Sequence, residues 1–182
     1  DYDSATAGVP IEGMLFVESN PRADLAIEEV RFAEGLAEAD PRIEGIVAFV
    51  DLLDPRGPYR TLDALSGRSR VKGIRHNIQG NPAGFARQPD FIAGVREAGR
   101  RGFTFDLCAT HDQLDEVVEL ARRCPDTRLV LDHCGKPDIA AGAREPWSSR
   151  ISRLAEQPHV WCKLSGLRCA VSTTRRNGSV SP

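Results

Sequence analysis

The feature that most constrains this chain is the regular alternation of short apolar runs with longer amphipathic stretches. Runs rich in β-branched and aromatic residues, typical of buried strands, recur at residues 13–18, 43–51, 71–76, 103–108, 128–133 and 160–164. Stretches of helical period lie between them, with Asn20 and Pro21 expected to cap and begin the first helix and Thr110 and Gln113 forming a capping box. This alternation predicts βαβ units, parallel pairing and right-handed crossovers.

Two parallel architectures fit this pattern, a closed eight-stranded barrel and an open doubly wound sheet. No glycine-rich dinucleotide fingerprint follows any strand, and Gly135-Lys136 has no upstream glycine at phosphate-loop spacing. We therefore predict an α/β fold, an incomplete (β/α)8 TIM barrel with about six parallel strand–helix units of roughly 30 residues each. An open-sheet nucleotide binder remains the fold-level alternative. The domain is expected to span residues 1–167, with residues 168–182 a disordered or non-native tail.

Composition excludes several classes of function. The chain has 24 Lys and Arg against 26 Asp and Glu among 182 residues, so it offers no basic field for nucleic acid. No apolar run approaches the roughly 18 residues of a membrane span, and no signal peptide is evident, so we expect a cytoplasmic protein. The five cysteines include no C-x-x-C pair, which argues against a structural zinc site and predicts small, buried, reduced thiols.

Ionisable side chains end all six predicted strands, where the active site of a parallel α/β fold lies. His133 is the strongest single candidate, because the chain turns at Gly135 and Pro137 directly after it and leaves the ring free to project. The other strand ends carry Glu18, Asp51, Arg75, His76, Asp106, Asp132 and Lys163. Of these, Glu18, Asp51 and Asp132 rank lower, since each could instead cap a neighbouring helix.

Adjacent strand residues point to opposite faces, so Arg75 and His76 cannot both face the interior. We expect Arg75 to clamp a carboxylate or carbonyl there and His76 to lie at the loop entrance, with structural roles for both as an equal alternative. Lys163 lies in an apolar run and needs a carboxylate partner, for which Asp106 is the candidate. A purely structural salt bridge between these two is as consistent with the pattern as a substrate contact.

The same segments form a recognisable pattern. Residues 71–76 (VKGIRH) and 129–138 (LVLDHCGKPD), supported by residues 43–52, 105–107 and 162–167, resemble the amidohydrolase-related family of metal-dependent hydrolases. Within that family the likeness is to sugar lactonases of the L-fuconolactonase and L-rhamnonolactonase type, and it extends over roughly residues 13–167.

The resemblance implies a (β/α)8 barrel that hydrolyses a lactone or cyclic ester, such as a sugar lactone or a related carboxylate, by water attack on the carbonyl. It implies catalytic roles for His133, also a candidate metal ligand, and for Arg75. His76, Asp106 and Lys163 are the candidate substrate-binding residues. The implied cofactor is a divalent metal, zinc before others, although some members use none. The expected partner is a small-molecule lactone or sugar acid.

Two parts of the family pattern are missing from the chain. It contains neither the H-x-H of the family's first strand nor the Gly-Ser-Asp and Trp-Pro of its last strand. The six strands would then correspond to the second through the seventh, and we expect a barrel truncated at both ends that is inactive alone. A non-catalytic remnant or binding protein is the alternative, and unpaired barrel edges are expected to promote self-association.

Overall fold

A computed structural model describes residues 2–55 and 58–167. In these residues six strands form one parallel sheet in the order β1-β2-β3-β4-β5-β6. The strand order follows the chain without the reversal of a doubly wound sheet, so the open-sheet alternative is wrong and the predicted incomplete barrel is confirmed. The strands are β1 (Met14–Val17), β2 (Ile43–Phe49), β3 (Val71–Arg75), β4 (Thr104–Leu107), β5 (Leu129–Leu131) and β6 (Val160–Cys162).

Helices follow the strands as the hydrophobic period predicts. After the short α1 (Tyr2–Ala5), the helices are α2 (Ala26–Ala39), α3 (Tyr59–Ser66), α4 (Pro89–Arg100), α5 (Leu114–Arg123) and α6 (Trp147–Ala155). The capping box of Thr110 and Gln113 is present, in a short 3-10 turn that leads into α5. The predicted start of the first long helix is wrong. A 3-10 turn precedes α2, and Asn20 has a positive φ of 59° instead of capping the helix.

The sheet is curved, and its two faces differ in character. β3 lies between β2 and β4, yet Arg75 at its end contacts Glu18 beyond β1 and Asp132 beyond β5, which a flat sheet would not allow. The convex face packs its apolar side chains against the helices; Phe91 and Leu114 are among the fully buried residues of that layer. The concave face therefore receives the polar side chains of the strand ends.

The two edges of the sheet expose apolar side chains. In the described part of the chain β1 and β6 each have one neighbouring strand, and Leu15, Trp161 and Leu164 are exposed by 56%, 52% and 79% respectively. Cys162 is also exposed, so the prediction of buried thiols is wrong for this residue. The predicted tail, residues 168–182, lies outside the described residues. Across the residues that are described, no helix is long and apolar enough to cross a membrane.

Candidate functional site

Five charged side chains meet on the concave face, at the carboxyl ends of the strands. Arg75 is the last residue of β3, where it pairs with Phe49 of β2 and Asp106 of β4. Its Nε donates to Glu18 Oε1 at 2.5 Å, Nη1 donates to Asp132 Oδ2 at 3.0 Å and Nη2 donates to the Glu18 carbonyl at 2.7 Å. Both carboxylates are fully buried, so this guanidinium joins two buried acidic side chains that follow different strands, β1 and β5.

Lys163 joins the same network from the far side. It follows β6 directly, and its ammonium contacts Asp106 Oδ2 and lies 2.7 Å from Asp132 Oδ1. The predicted pairing with Asp106 is present, although Lys163 serves two carboxylates instead of one. Asp132, which follows β5, thereby joins the two cations, with one oxygen facing Arg75 and the other facing Lys163.

Burial and ion pairing shift the pKa values of Asp106 and Lys163 in opposite directions. Burial raises the pKa of Asp106 above its usual value, even though the Lys163 ammonium acts to lower it. Burial acts to lower the pKa of Lys163, but its two carboxylate partners outweigh burial and raise it. Lys163 therefore stays protonated through neutral pH. Since its side chain is 29% exposed against 13% for Arg75, it is the more accessible of the two cations.

His133 lies at the rim of this network, in an unusual turn. His133, Cys134, Gly135 and Lys136 have φ values of 51°, 53°, 66° and 47°, so four consecutive residues adopt the left-handed conformation. Three of them are not glycine, and each such residue costs about 1–2 kcal/mol in this conformation. Strain of this kind persists only where the surroundings enforce it, and it clusters at functional sites.

Contacts from three directions hold the turn in place. The Cys134 amide donates to the Lys163 carbonyl at 3.1 Å, and Trp147 Nε1 donates to the Cys134 carbonyl at 2.8 Å. The Lys136 ammonium donates to Gln79 Oε1. The turn therefore connects the end of β5 to the end of β6 and to α6. These contacts fix the backbone position from which the His133 side chain projects.

The His133 ring is available for chemistry in its neutral form. Its Nδ1 lies 2.9 Å from Ser165 Oγ, and Gly166 packs so closely that a Cβ there would lie 2.7 Å from His133 Cβ. Burial lowers the pKa of His133, with Asp132 acting in the opposite direction. A neutral imidazole at the mouth of a charged site can accept a proton or orient a carbonyl oxygen.

His76 lies away from this network. Its Nδ1 accepts a hydrogen bond from the Leu52 amide at 3.1 Å, and its ring packs against Phe49, Phe85 and Phe91 at centroid distances of 5.4–5.7 Å. Burial lowers the pKa of the imidazole. The structure thus places four of the five candidate residues together at one end of the sheet and His76 in an aromatic cluster beside them.

Glu18 and Asp132 belong to this network, and sequence reasoning ranked them below the other strand-end residues. Both are acidic residues directly after an apolar strand, a pattern that a helix cap shares, so the sequence alone did not separate the two roles. Their side chains accept hydrogen bonds from Arg75, and neither caps a helix. The signal that could have found them is the arginine, because a buried guanidinium requires more than one acceptor.

The described residues do not form a metal site. They contain no group of three or more His, Cys, Asp or Glu side chains able to hold a metal ion, and both oxygens of Asp132 already face cations. A catalytic zinc site needs three protein ligands. His133 could supply one of them, and the described residues around it do not supply the rest.

Comparison with known proteins places these features in a family. The family model described as amidohydrolase matches residues 2–178. An L-fucono-1,5-lactonase from Burkholderia ambifaria is 29% identical over 92% of this chain and 56% of its own length. One from Burkholderia multivorans is 32% identical over 77% of this chain and 49% of its own length. The chain thus spans about half the length of the curated relatives that it matches.

A solved structure shows the same arrangement of elements. An amidohydrolase from Burkholderia multivorans, determined with bound zinc, superimposes with a TM-score of 0.78 at 29% sequence identity. The match covers 88% of this chain and 56% of that one.

Proposed function

Because this chain belongs to the amidohydrolase family, we propose that it supplies one side of a hydrolase site that acts on a lactone, such as a sugar lactone or a related cyclic ester. The observation that carries the proposal is the buried network of Arg75, Glu18, Asp106, Asp132 and Lys163 beside a neutral His133. Similarity to two L-fucono-1,5-lactonases supports the substrate class.

The geometry suggests a separate task for each residue. His133 is at the rim, and a neutral imidazole there is suited to orient the lactone carbonyl for water attack. Lys163 is the more accessible cation and is suited to hold an oxygen of the substrate. Arg75 and Asp106 are more deeply buried, so we assign them to positioning: Arg75 holds Asp132, the residue before His133, and Asp106 holds Lys163. For His76 we propose a structural role in place of substrate binding.

We also propose that the 182-residue chain alone hydrolyses no lactone measurably. Lactone hydrolysis needs a carboxylate or comparable base to take a proton from water. In the described network Glu18, Asp106 and Asp132 all contact a cation, so none is a free base. The same pairing favours the second candidate, a non-catalytic member of the family that binds a small molecule.

One experiment tests the contribution of these residues to hydrolysis. Residues 13–167 replace the matching segment of the Burkholderia multivorans L-fucono-1,5-lactonase, and acid release from L-fucono-1,5-lactone is followed with a pH indicator. We expect turnover that falls at least 100-fold, on the order of a lost hydrogen-bond donor to the reacting carbonyl oxygen, in the His133→Ala chimera. A folded chimera, judged by circular dichroism, that hydrolyses nothing would refute the lactonase proposal.

A second assay distinguishes the two proposals, a small-molecule binding protein and an inactive part of a hydrolase. The 182-residue chain is tested for turnover and for a thermal shift with L-fucono-1,5-lactone, an aldonic acid and ATP. Turnover well above that of His133→Ala would contradict the proposed inactivity. A shift with the aldonic acid but no activity in the chimera would favour the binding protein.

A further inference from the structure

Two of the free thiols lie side by side next to the His133 turn. Cys134 Sγ donates to the Lys163 carbonyl oxygen at 3.4 Å, and Cys162 Sγ approaches the same oxygen at 3.8 Å. Both side chains therefore converge on one atom, although 28 residues separate them in sequence. The other described cysteines, Cys108 and Cys124, are buried; Cys108 Sγ accepts from the Lys136 ammonium at 3.4 Å, and Cys124 Sγ faces the Ile92 carbonyl.

The backbone brings the two cysteines together. Cys162 ends β6 and pairs with Leu131 of β5, three residues before Cys134. The chain then folds back in the left-handed turn, and the Cys134 amide donates to the Lys163 carbonyl at 3.1 Å. The Cys134 amide thus bonds the residue that directly follows Cys162, and both sulfurs lie against that same carbonyl oxygen, so the two side chains start close enough for a bridge that needs Cα atoms about 4.4–6.8 Å apart.

The electrostatics of the thiols agree with this proximity. Burial raises the pKa of Cys162 to about 11, and the neighbouring Cys134 thiol adds to the increase. Cys162 is nevertheless exposed and Cys134 half-buried, so a small reagent can reach the pair from solvent.

From this geometry we infer that Cys134 and Cys162 form a redox-active dithiol, which a low-molecular-weight disulfide such as oxidised glutathione converts to an intrachain disulfide. Only the thiolate attacks, and the raised pKa of Cys162 leaves a small fraction of it ionised at neutral pH, so the reaction is slow there and faster at alkaline pH. The exposed Cys162 sulfur, as thiolate, attacks one sulfur of the reagent, forming a mixed disulfide and releasing one thiol. The Cys134 sulfur then attacks Cys162, and the second thiol leaves. The two cysteine protons end on the two released thiols, so the chain is oxidised by two electrons and the reagent is reduced by two.

The disulfide would act on the proposed site without belonging to the hydrolase chemistry. It would add a covalent tie between the turn that carries His133 and the strand end that carries Lys163, two segments that now meet through hydrogen bonds, an ion pair and packing. Reduction would free the strained turn again. The disulfide forms whichever substrate the site takes, and its detection needs no activity.

Tryptic mapping tests the pairing directly, because the five cysteines fall in five different tryptic peptides. The full chain is incubated with oxidised glutathione, then unfolded in urea in the presence of an alkylating agent so that every remaining thiol reacts, and digested without reductant. We expect a cross-link between peptides 129–144 and 154–163, lighter than their sum by two hydrogen atoms, while Cys108 and Cys124 remain alkylated. Dithiothreitol should reverse it.

Two variants and a stability measurement sharpen the test. Cys162→Ser should form no internal cross-link, whereas the matched control Cys124→Ser, whose sulfur faces the Ile92 carbonyl away from the turn, should form it as the unsubstituted chain does. The oxidised chain should unfold at a higher temperature than the reduced chain, by on the order of 5 °C. A link to Cys169, a link between chains on a non-reducing gel, a persistent mixed disulfide, or full alkylation of the chain would each overturn the inference.

Discussion

Replacing Lys163 by methionine tests whether the buried network is held by charge. The substitution keeps most of the side-chain volume and removes the ammonium that Asp106 and Asp132 share. Removing one partner of a buried ion pair costs about 3–5 kcal/mol, because it leaves an uncompensated charge. We expect about 3 kcal/mol, the low end, since Lys163 is 29% exposed and Asp132 keeps its bond to Arg75.

Urea unfolding followed by circular dichroism measures this loss. With a denaturant dependence of about 2 kcal/mol per molar, the midpoint should fall by about 1.5 M. The matched control is Lys72→Met, because Lys72 is exposed and donates only to the Ser69 carbonyl among the described contacts. Its midpoint should move by no more than the equivalent of about 0.5 kcal/mol. Adding Asp106→Asn to Lys163→Met removes the orphaned charge and should restore part of the loss.

The dependence of the loss on pH gives an independent check. Burial already raises the pKa of Asp106 and Lys163 opposes that increase, so removing Lys163 raises the pKa further. A carboxyl whose pKa is higher in the folded state destabilises the fold as pH rises through the interval between the unfolded and folded values. The deficit of the variant should therefore be small near the unfolded value of about pH 4 and larger at neutral pH. An unchanged midpoint at neutral pH, or an equal deficit at both pH values, would refute the reasoning.

Three further predictions concern the turn, the aromatic cluster and the sheet edges. Gly135→Ala should cost about 2–4 kcal/mol in urea unfolding, because φ is 66° and the new Cβ would lie 2.8 Å from Leu114 Cδ2. The control Gly35→Ala, where a Cβ meets nothing within 4 Å in the interior of α2, should instead stabilise by about 0.5–1 kcal/mol; similar losses at both positions would contradict the role of the turn. The half-buried His76, whose pKa is lowered by burial, should make the fold less stable as pH falls below about 6.5, where the unfolded chain gains the proton first. That share of the slope should disappear in His76→Gln, and an unaltered slope would show that the ring titrates freely. Finally, the exposed edges of β1 and β6 predict self-association that increases with concentration in light scattering; a monodisperse monomer at all concentrations would contradict it.

The sequence by itself determined the strand–helix order and the end of the sheet at which the polar side chains gather. Apolar runs and helical periods are local properties, so their positions agree with the six strands and with most of the helices. Parallel strands present their carboxyl ends at one edge, and this rule is enough to place Arg75, Asp106, His133 and Lys163 near one another from the sequence alone. The prediction at Asn20 failed because a 3-10 turn at Ala23–Leu25 lies between this residue and the start of α2.

Only the tertiary structure decided which of these residues contact each other. Glu18 and Asp132 look like helix caps in sequence, and the curvature of the sheet, which depends on the packing of all the helices, turns them toward Arg75. The left-handed turn at residues 133–136 was equally hidden, because three of its residues ordinarily avoid that conformation. The proximity of Cys134 and Cys162 was also not evident from the sequence. It depends on the pairing of β5 with β6, a long-range contact that no local pattern encodes.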